Sequence, residues 1–240
     1  MNQTLHRPDR FFFGTRSLPC PYIEGKVERK VVTDLSGENS EDLYSRLSRA
    51  GFRRSHGLAY RPACPNCQSC VPVRIDANGF QWSKSFKRTR RANDDLLATD
   101  LGAIATVEQF RLFYRYQHSR HGGGEMAAMS FNDYRAMVED TPVETRMVEF
   151  RDPSGELIGA MLCDRMEDSY SAVYSFFNPD LVSRSLGTFM VLWLVERAVA
   201  LGLPHVYLGY WIEGSGKMAY KARFQPLEQL QDNRWRSLSK

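Results

Sequence analysis

Three cysteines stand in the run Cys64-Pro-Asn-Cys67-Gln-Ser-Cys70, two residues apart in each case. Thiolates at this spacing can reach one metal ion, and Cys20 becomes the fourth ligand if the N-terminal segment folds back on the run. Zinc or an iron–sulfur cluster would suit such a set, although the run lacks the Cys-Pro member of a ferredoxin-type signature. Reduced thiols packed near an active site are the other reading. The chain has five cysteines. That odd number, with Cys163 alone downstream, argues against a disulfide framework. Cys163 reads as a small buried hydrophobe.

Two cationic motifs accompany the cysteines. Lys84-Ser-Phe-Lys-Arg-Thr-Arg-Arg91 is a dense basic run. Lys217-Met-Ala-Tyr-Lys221, read as helix, puts Lys217, Tyr220 and Lys221 on adjacent turns where they share one polar face. The plainer reading of that face is a solvated helix with snorkelling lysines. Charge is uneven along the chain. Residues 1–100 hold 17 Lys/Arg against 11 Asp/Glu, and the remainder 15 against 17, within a net charge of +4. A basic first part on a near-neutral remainder suits a chain in which one region meets an anion.

These residues need elements to hold them. Residues 1 to about 35 read as extended and irregular, with turn signals at Pro8, Gly14, Pro19, Pro21 and Gly25. A short helix fits Glu41 to Ala50, with Ser40 as its cap and Gly51 as its stop. A hairpin over 51–61 leads to the cysteines, and Val71, Val73 and Ile75 alternate on one face of a strand. Charge character changes near 95–105, which predicts a division into 1–100 and 101–240. Beyond it, Thr106-Val-Glu-Gln109 and Ser130-Phe-Asn-Asp133 start two helices as capping boxes. Strands near 144–150, 156–165 and 170–177 are joined by the turns Asp152-Pro-Ser-Gly155 and Glu167-Asp-Ser169, hence antiparallel neighbours. A helix from Leu186 to Leu201, a strand from His205 to Trp211 and a helical segment from Lys217 to Phe224 follow.

The composition, 42% hydrophobic and 25% charged, is that of a soluble globular chain. The longest apolar stretch, Leu186 to Leu203, is interrupted by Glu196 and Arg197, so no membrane helix is expected. The first ten residues lack the order of a secretory signal, which predicts a cytoplasmic protein.

Helix, helix, three-strand meander, helix, strand and helix together resemble the GNAT acyltransferase superfamily. The resemblance implies an α+β fold: a mixed-sheet acyltransferase domain beside a smaller Cys-containing N-terminal module. In that superfamily the helix after the meander begins at an Arg/Gln-x-x-Gly-x-Gly/Ala turn that holds the pyrophosphate of acyl-coenzyme A. Arg184-Ser-Leu-Gly187-Thr-Phe189 matches at Arg184 and Gly187 and departs at Phe189, which counts against coenzyme A as donor.

A more specific resemblance covers nearly the whole chain. Its blocks are Cys20-Pro-Tyr22, Gly51-Phe-Arg-Arg-Ser55, Tyr60 to Arg74 with the three cysteines, Tyr116-Gln-His-Ser-Arg-His121, and Leu201 to Ile212 followed by Gly216 to Leu227. These resemble the aminoacyl-tRNA–protein transferases of the N-end rule pathway. The likeness is greatest to the short bacterial aspartate/glutamate leucyltransferases, counterparts of the eukaryotic arginyltransferases.

The resemblance implies transfer of an amino acid from its charged tRNA to a protein beginning with Asp or Glu, which marks that protein for degradation. Leucine is the expected donor residue and arginine the alternative. The donor is already an activated ester, so no ATP and no cofactor is required for transfer, and an α-amine of pKa about 7.7–8.0 needs no strong base. Lys217, Tyr220 and Lys221 then become the catalytic face. The acceptor carboxylate calls for a cation, with Arg53, Arg54, Arg61 and Arg223 as candidates. Lys84, Lys87, Arg88, Arg90 and Arg91, with Arg184 and Gly187, are assigned to tRNA phosphates. Phe86 either stacks on an unpaired base or anchors the core. Two rivals stand beside this reading: a coenzyme-A-dependent acetyltransferase, and a non-catalytic RNA-binding protein that uses the cysteines and the basic run.

Overall fold

The computed structural model describes residues 11–122 and 124–238. The predicted turn at Pro8 and the expectation of no leader peptide rest on residues 1–10, outside the described residues. The first elements are short: β1 (Phe13–Gly14), β2 (Leu18–Pro19), β3 (Val27–Glu28) and β4 (Lys30–Asp34). Then come α1 (Ser40–Arg49), β5 (Arg53–Ser55), β6 (Leu58–Pro62), β7 (Val71–Asp76), α2 (Lys84–Arg91) and β8 (Leu97–Gly102). Next are α3 (Val107–His121), α4 (Phe131–Glu139), β9 (Thr145–Arg151), β10 (Leu157–Met166) and β11 (Ser169–Phe177). The last are α5 (Leu186–Ala200), β12 (His205–Trp211), β13 (Leu227–Gln231) and β14 (Arg234–Ser237).

Both capping boxes close as read. Thr106 accepts from the Gln109 N–H while the Gln109 side chain accepts from Thr106 N, and Ser130 and Asp133 do the same for α4. The helix α1 forms without its expected cap. Asn39, in the left-handed region, precedes it, and the Ser40 hydroxyl donates to the Pro142 carbonyl instead. Gly51, at φ +85°, supplies the predicted stop.

An eight-stranded mixed sheet runs β14-β13-β7-β12-β11-β10-β9-β8. β9, β10 and β11 form the antiparallel meander, and β12 returns parallel to β11 after α5. The apolar helix α5 lies on one face, where Phe189, Met190, Leu194 and Val195 bury against Val73, Met161, Val206 and Leu208. α3 and α4 cover other residues of the meander with Phe113, Tyr134 and Val138 over Met147, Leu162 and Phe176. Each such side chain stabilises the sheet by about 1.5–3 kcal/mol relative to exposure.

The small sheet β1-β4-β6-β5 belongs to the first part of the chain. β7 and β8, however, lie inside and at one edge of the large sheet. The first hundred residues and the rest are therefore joined through a shared sheet at the predicted boundary. The β13–β14 hairpin carries no strong period-two pattern, and it extends the sheet beyond β7. The predicted helix over Lys217–Phe224 is reduced to one 3₁₀ segment, Ala219–Arg223. No helix among the described residues is long and apolar enough to cross a membrane.

Candidate active site

β11 and β12 pair only over Ser169–Ser171 and His205–Tyr207, and then part. The parted strands leave backbone carbonyls of β11 without a neighbouring strand, and such groups need donors. Arg53, reaching in from β5, supplies them: its Nη2 donates to the carbonyls of Ala172 at 3.0 Å and Val173 at 3.2 Å. The path crosses Gly209, at φ +76° and a register irregularity of β12. A Cβ at that position would stand 2.3 Å from Arg53 Nη1. Glycine is what lets the guanidinium through.

The gap between the strands opens into a cavity of about 580 Å³. Met161, Leu186, Val191 and Leu208, all buried, give it an apolar floor. The N-terminal turn of α5, with Ser185, Gly187 and Thr188, closes one side, and Tyr116 and Arg120 of α3 another. Lys217, Tyr220 and Lys221 complete the wall. Arg53, Arg120, Lys217 and Lys221 are its cations, and no Asp or Glu stands among the described residues that line it.

The three residues read as a catalytic face do converge on this cavity, in unequal settings. Lys217 and Tyr220 are exposed, whereas Lys221 is 6% exposed and its Nζ donates to the Tyr210 carbonyl at 2.5 Å. Lys221 is thus not a snorkelling lysine. Burial, with the Arg53 guanidinium nearby, pushes its ammonium pKa down to about 7.

Of the four arginines considered for a carboxylate, only Arg53 lines the cavity. Arg54 is committed elsewhere: it donates to Asp164 through Nε and Nη2, and to Thr145 Oγ1 and the His56 carbonyl. Arg61 lies over the Phe52 ring at 5.4 Å and donates to the Ala50 carbonyl. Arg223 lies over Phe86 at 5.7 Å and donates to Ser85. Asp164 and Asp168, near the second meander turn, are paired with Arg54 and Arg49 respectively.

The basic run forms α2, capped by Ser83, whose side chain accepts from the Phe86 N–H. Lys84, Lys87, Arg88 and Arg91 fall at helical spacing on one exposed face around a shallow surface depression. Arg90 points the other way, into ion pairs with Glu196 and Asp94. Arg184 is similarly tied, to Asn93 and Asp95, while Gly187 reaches the cavity. Phe86 is 2% exposed and stacks on Phe224 at 5.0 Å, so it anchors the core and meets no base. Phe224 in turn meets the Tyr220 ring edge-on at 6.4 Å, which links α2 to the cavity wall. Phe189 packs T-shaped on Phe150 inside the core, away from the α5 turn.

Cys20, Cys64, Cys67 and Cys70 are partly buried neighbours. Burial, then the other three thiols in turn, push the Cys70 thiol up to about 11. Among the described residues no group of three His, Cys, Asp or Glu is set to hold a metal ion. Cys64 Sγ contacts the Arg29 backbone, and Cys67 Sγ lies 3.5 Å from the Ser69 hydroxyl. Cys163 is buried as read.

Tyr116, Arg120 and the apolar floor were not singled out as site residues from sequence. The first two sit in the Tyr116–His121 block. Met161, Val191 and Leu208 look like any core residue until the strands are seen to part.

The described lining of this cavity, cationic and without a carboxylate, suits an anionic ligand. The comparisons give the class of protein, an aminoacyl-tRNA–protein transferase. The family described as arginine-tRNA-protein transferase, N terminus, matches residues 18–88, and its C-terminus counterpart matches residues 108–231. The aspartate/glutamate leucyltransferase of Paramagnetospirillum magneticum is 59% identical over 97% of this chain and 95% of its own. That of Rhodospirillum rubrum is 57% identical over 96% and 94%. The chain belongs to the aspartate/glutamate leucyltransferase family. Among solved structures, FemX aligns over 79% of this chain and 65% of its own at 8% identity and a TM-score of 0.49, too remote to bear on the reaction.

Proposed function

We propose that this enzyme transfers leucine from leucyl-tRNA to the α-amine of proteins that begin with Asp or Glu. The observation that carries the reading is the cavity itself: an apolar floor beneath four cations, with no carboxylate among the described residues that line it. Leucine gains about 1.5–3 kcal/mol from an apolar seat. The acceptor's side-chain carboxylate requires a cation, and a partly buried guanidinium is the stronger partner because water competes less. Arg53 takes that role, with Lys217 at the rim.

The exposed face of α2 binds tRNA phosphates through Lys84, Lys87, Arg88 and Arg91, and the 3′ end enters between α5 and the 219–223 turn. The first turn of α5 lines the cavity at Gly187, and a helix N-terminus there favours a phosphate or a developing oxyanion, although the Thr188 N–H is already given to the Ser185 carbonyl. With the ester pre-activated, positioning and charge stabilisation carry the reaction. It runs in the cytoplasm, where charged tRNA is made.

The test is transfer of labelled leucine from Leu-tRNA to peptides that differ only in their first residue. Asp and Glu peptides are expected to accept, and Ala and Lys peptides to fail. Acetyl-coenzyme A in the same assay should give no product. Acetylation without leucyl transfer would refute the reading.

A further inference from the structure

Resting on that reading, we infer that Lys221 is the proton carrier of the transfer. It takes the proton from the attacking acceptor nitrogen and hands it to the departing ribose oxygen. Among the cavity cations, it is the only one buried to below a tenth exposure. Among the described residues, the one hydrogen bond of its Nζ is to a neutral backbone carbonyl, that of Tyr210. A buried ammonium normally needs a carboxylate, and the described cavity lining offers none. The ionisable groups sharing the cavity are Arg53 from β5, Tyr116 and Arg120 from α3, Tyr174 from β11, and Lys217 and Tyr220 beside it. None of them is an acid that would hold Lys221 charged at neutral pH. Desolvation and Arg53 favour the free amine, consistent with a pKa lowered to about 7. A neutral Nζ that donates one N–H to Tyr210 keeps its lone pair for the cavity.

The step balances. The acceptor amine, deprotonated to solvent near pH 8, forms a C–N bond to the ester carbonyl carbon, and the carbonyl pair moves to oxygen. An N–H proton passes to Nζ. The carbonyl then re-forms, the C–O bond to ribose breaks with its electron pair on the ribose oxygen, and the Nζ ammonium protonates that oxygen. Lys221 ends neutral, as it began. Positioned proton transfer of this kind contributes about 10²–10⁴-fold.

Two measurements test this. Lys221→Arg keeps the cation and Lys221→Gln keeps a donor for the Tyr210 carbonyl, and neither can cycle a proton at neutral pH. Both are expected to lower kcat by about 10²–10⁴-fold at nearly unchanged leucyl-tRNA Kd, and added ethylamine should restore part of the Lys221→Gln rate. An Arg variant with wild-type kcat would show that charge alone matters and overturn the assignment. The second measurement needs no variant and no activity. Acetic anhydride labelling of the wild-type protein across pH, read by mass spectrometry, should half-modify Lys221 near pH 7. Labelling that rises only towards pH 10 overturns the proposal even if leucyl transfer is observed. Failure of leucyl transfer with labelling at pH 7 would instead count against the proposed reaction.

Discussion

The guanidinium of Arg54 on β5 and the carboxylate of Asp164 on β10 meet at 2.9 and 2.7 Å, with side-chain exposures of 1% and 0%. Thr145 also donates to the same carboxylate at 2.7 Å. The pair pins the small sheet to the meander, and the adjacent Arg53 is thereby aimed across Gly209 into the cavity. Arg54 is held by the carboxylate, while its neighbour Arg53 reaches the cavity lining.

Removing one partner leaves the other buried and uncompensated, which costs about 3–5 kcal/mol. Arg54→Met and Asp164→Asn are each expected to lose stability on that scale in urea denaturation. The double variant Arg54→Met/Asp164→Leu should lose clearly less than the two single losses added together. Additive losses would mean that the pair is not the source of the stability.

Gly209 permits the route of Arg53, and an alanine there meets both an unfavourable φ and the guanidinium. Gly209→Ala should cost roughly 1–3 kcal/mol. In the folded fraction it should raise the acceptor KM at least tenfold while leaving leucyl-tRNA affinity near wild type. Equal loss of both affinities would indicate general collapse of the cavity.

On α2, the split between bound and free cations gives a sharper test than the run as a whole. Replacing Lys84, Lys87, Arg88 and Arg91 with Gln should weaken tRNA binding and flatten the dependence of log K on log salt by about 3, at roughly 0.7–0.9 per lost phosphate contact. Arg90→Gln, which breaks the tie to Glu196, should change the slope little and lower stability instead.

Much of this was legible in the sequence because local rules agree there with the final fold. Thr106/Gln109 and Ser130/Asp133 are self-contained signals, and the Asp152–Gly155 turn fixes the meander without help. Position 40 failed because the Ser40 hydroxyl is drawn to Pro142, about a hundred residues away. The same limit hid the site. Arg53 and Arg54 are adjacent and identical in type, and only β-sheet alternation sends one to Asp164 and the other to the parted strands. Lys221 is legible in the sequence as part of a polar face with Lys217 and Tyr220, but its burial shows only once the Tyr210 carbonyl and the Arg53 guanidinium are placed beside it.

The cysteines differ in reactivity although they share one loop. Ser69, whose hydroxyl and backbone N–H can donate to the thiolate, holds the Cys67 thiol below its ordinary value, while burial lifts Cys70 to about 11. Thiolate is the nucleophile. At pH 8 iodoacetamide should therefore modify Cys67 well before Cys70, with Cys163 last, as followed by peptide mass spectrometry. Cys70 reacting first would contradict this order.

On the proposed reading, donor choice follows from the charges in the cavity. An arginyl side chain seated over the same floor would bring a second guanidinium close to Arg53. At about 5 Å and an effective dielectric near 20, that repulsion is about 3 kcal/mol, before any cost of dehydrating the incoming charge. Leucine meets no such penalty and gains from the apolar contact. The difference corresponds to a preference of at least about a hundredfold. In competition assays with Leu-tRNA and Arg-tRNA present together, leucine should account for nearly all the product on an Asp peptide. A carboxylate introduced at the floor, Val191→Asp, should reduce leucine use and narrow the ratio. Comparable use of both donors by the wild-type enzyme would mean that the donor side chain sits elsewhere, away from Arg53.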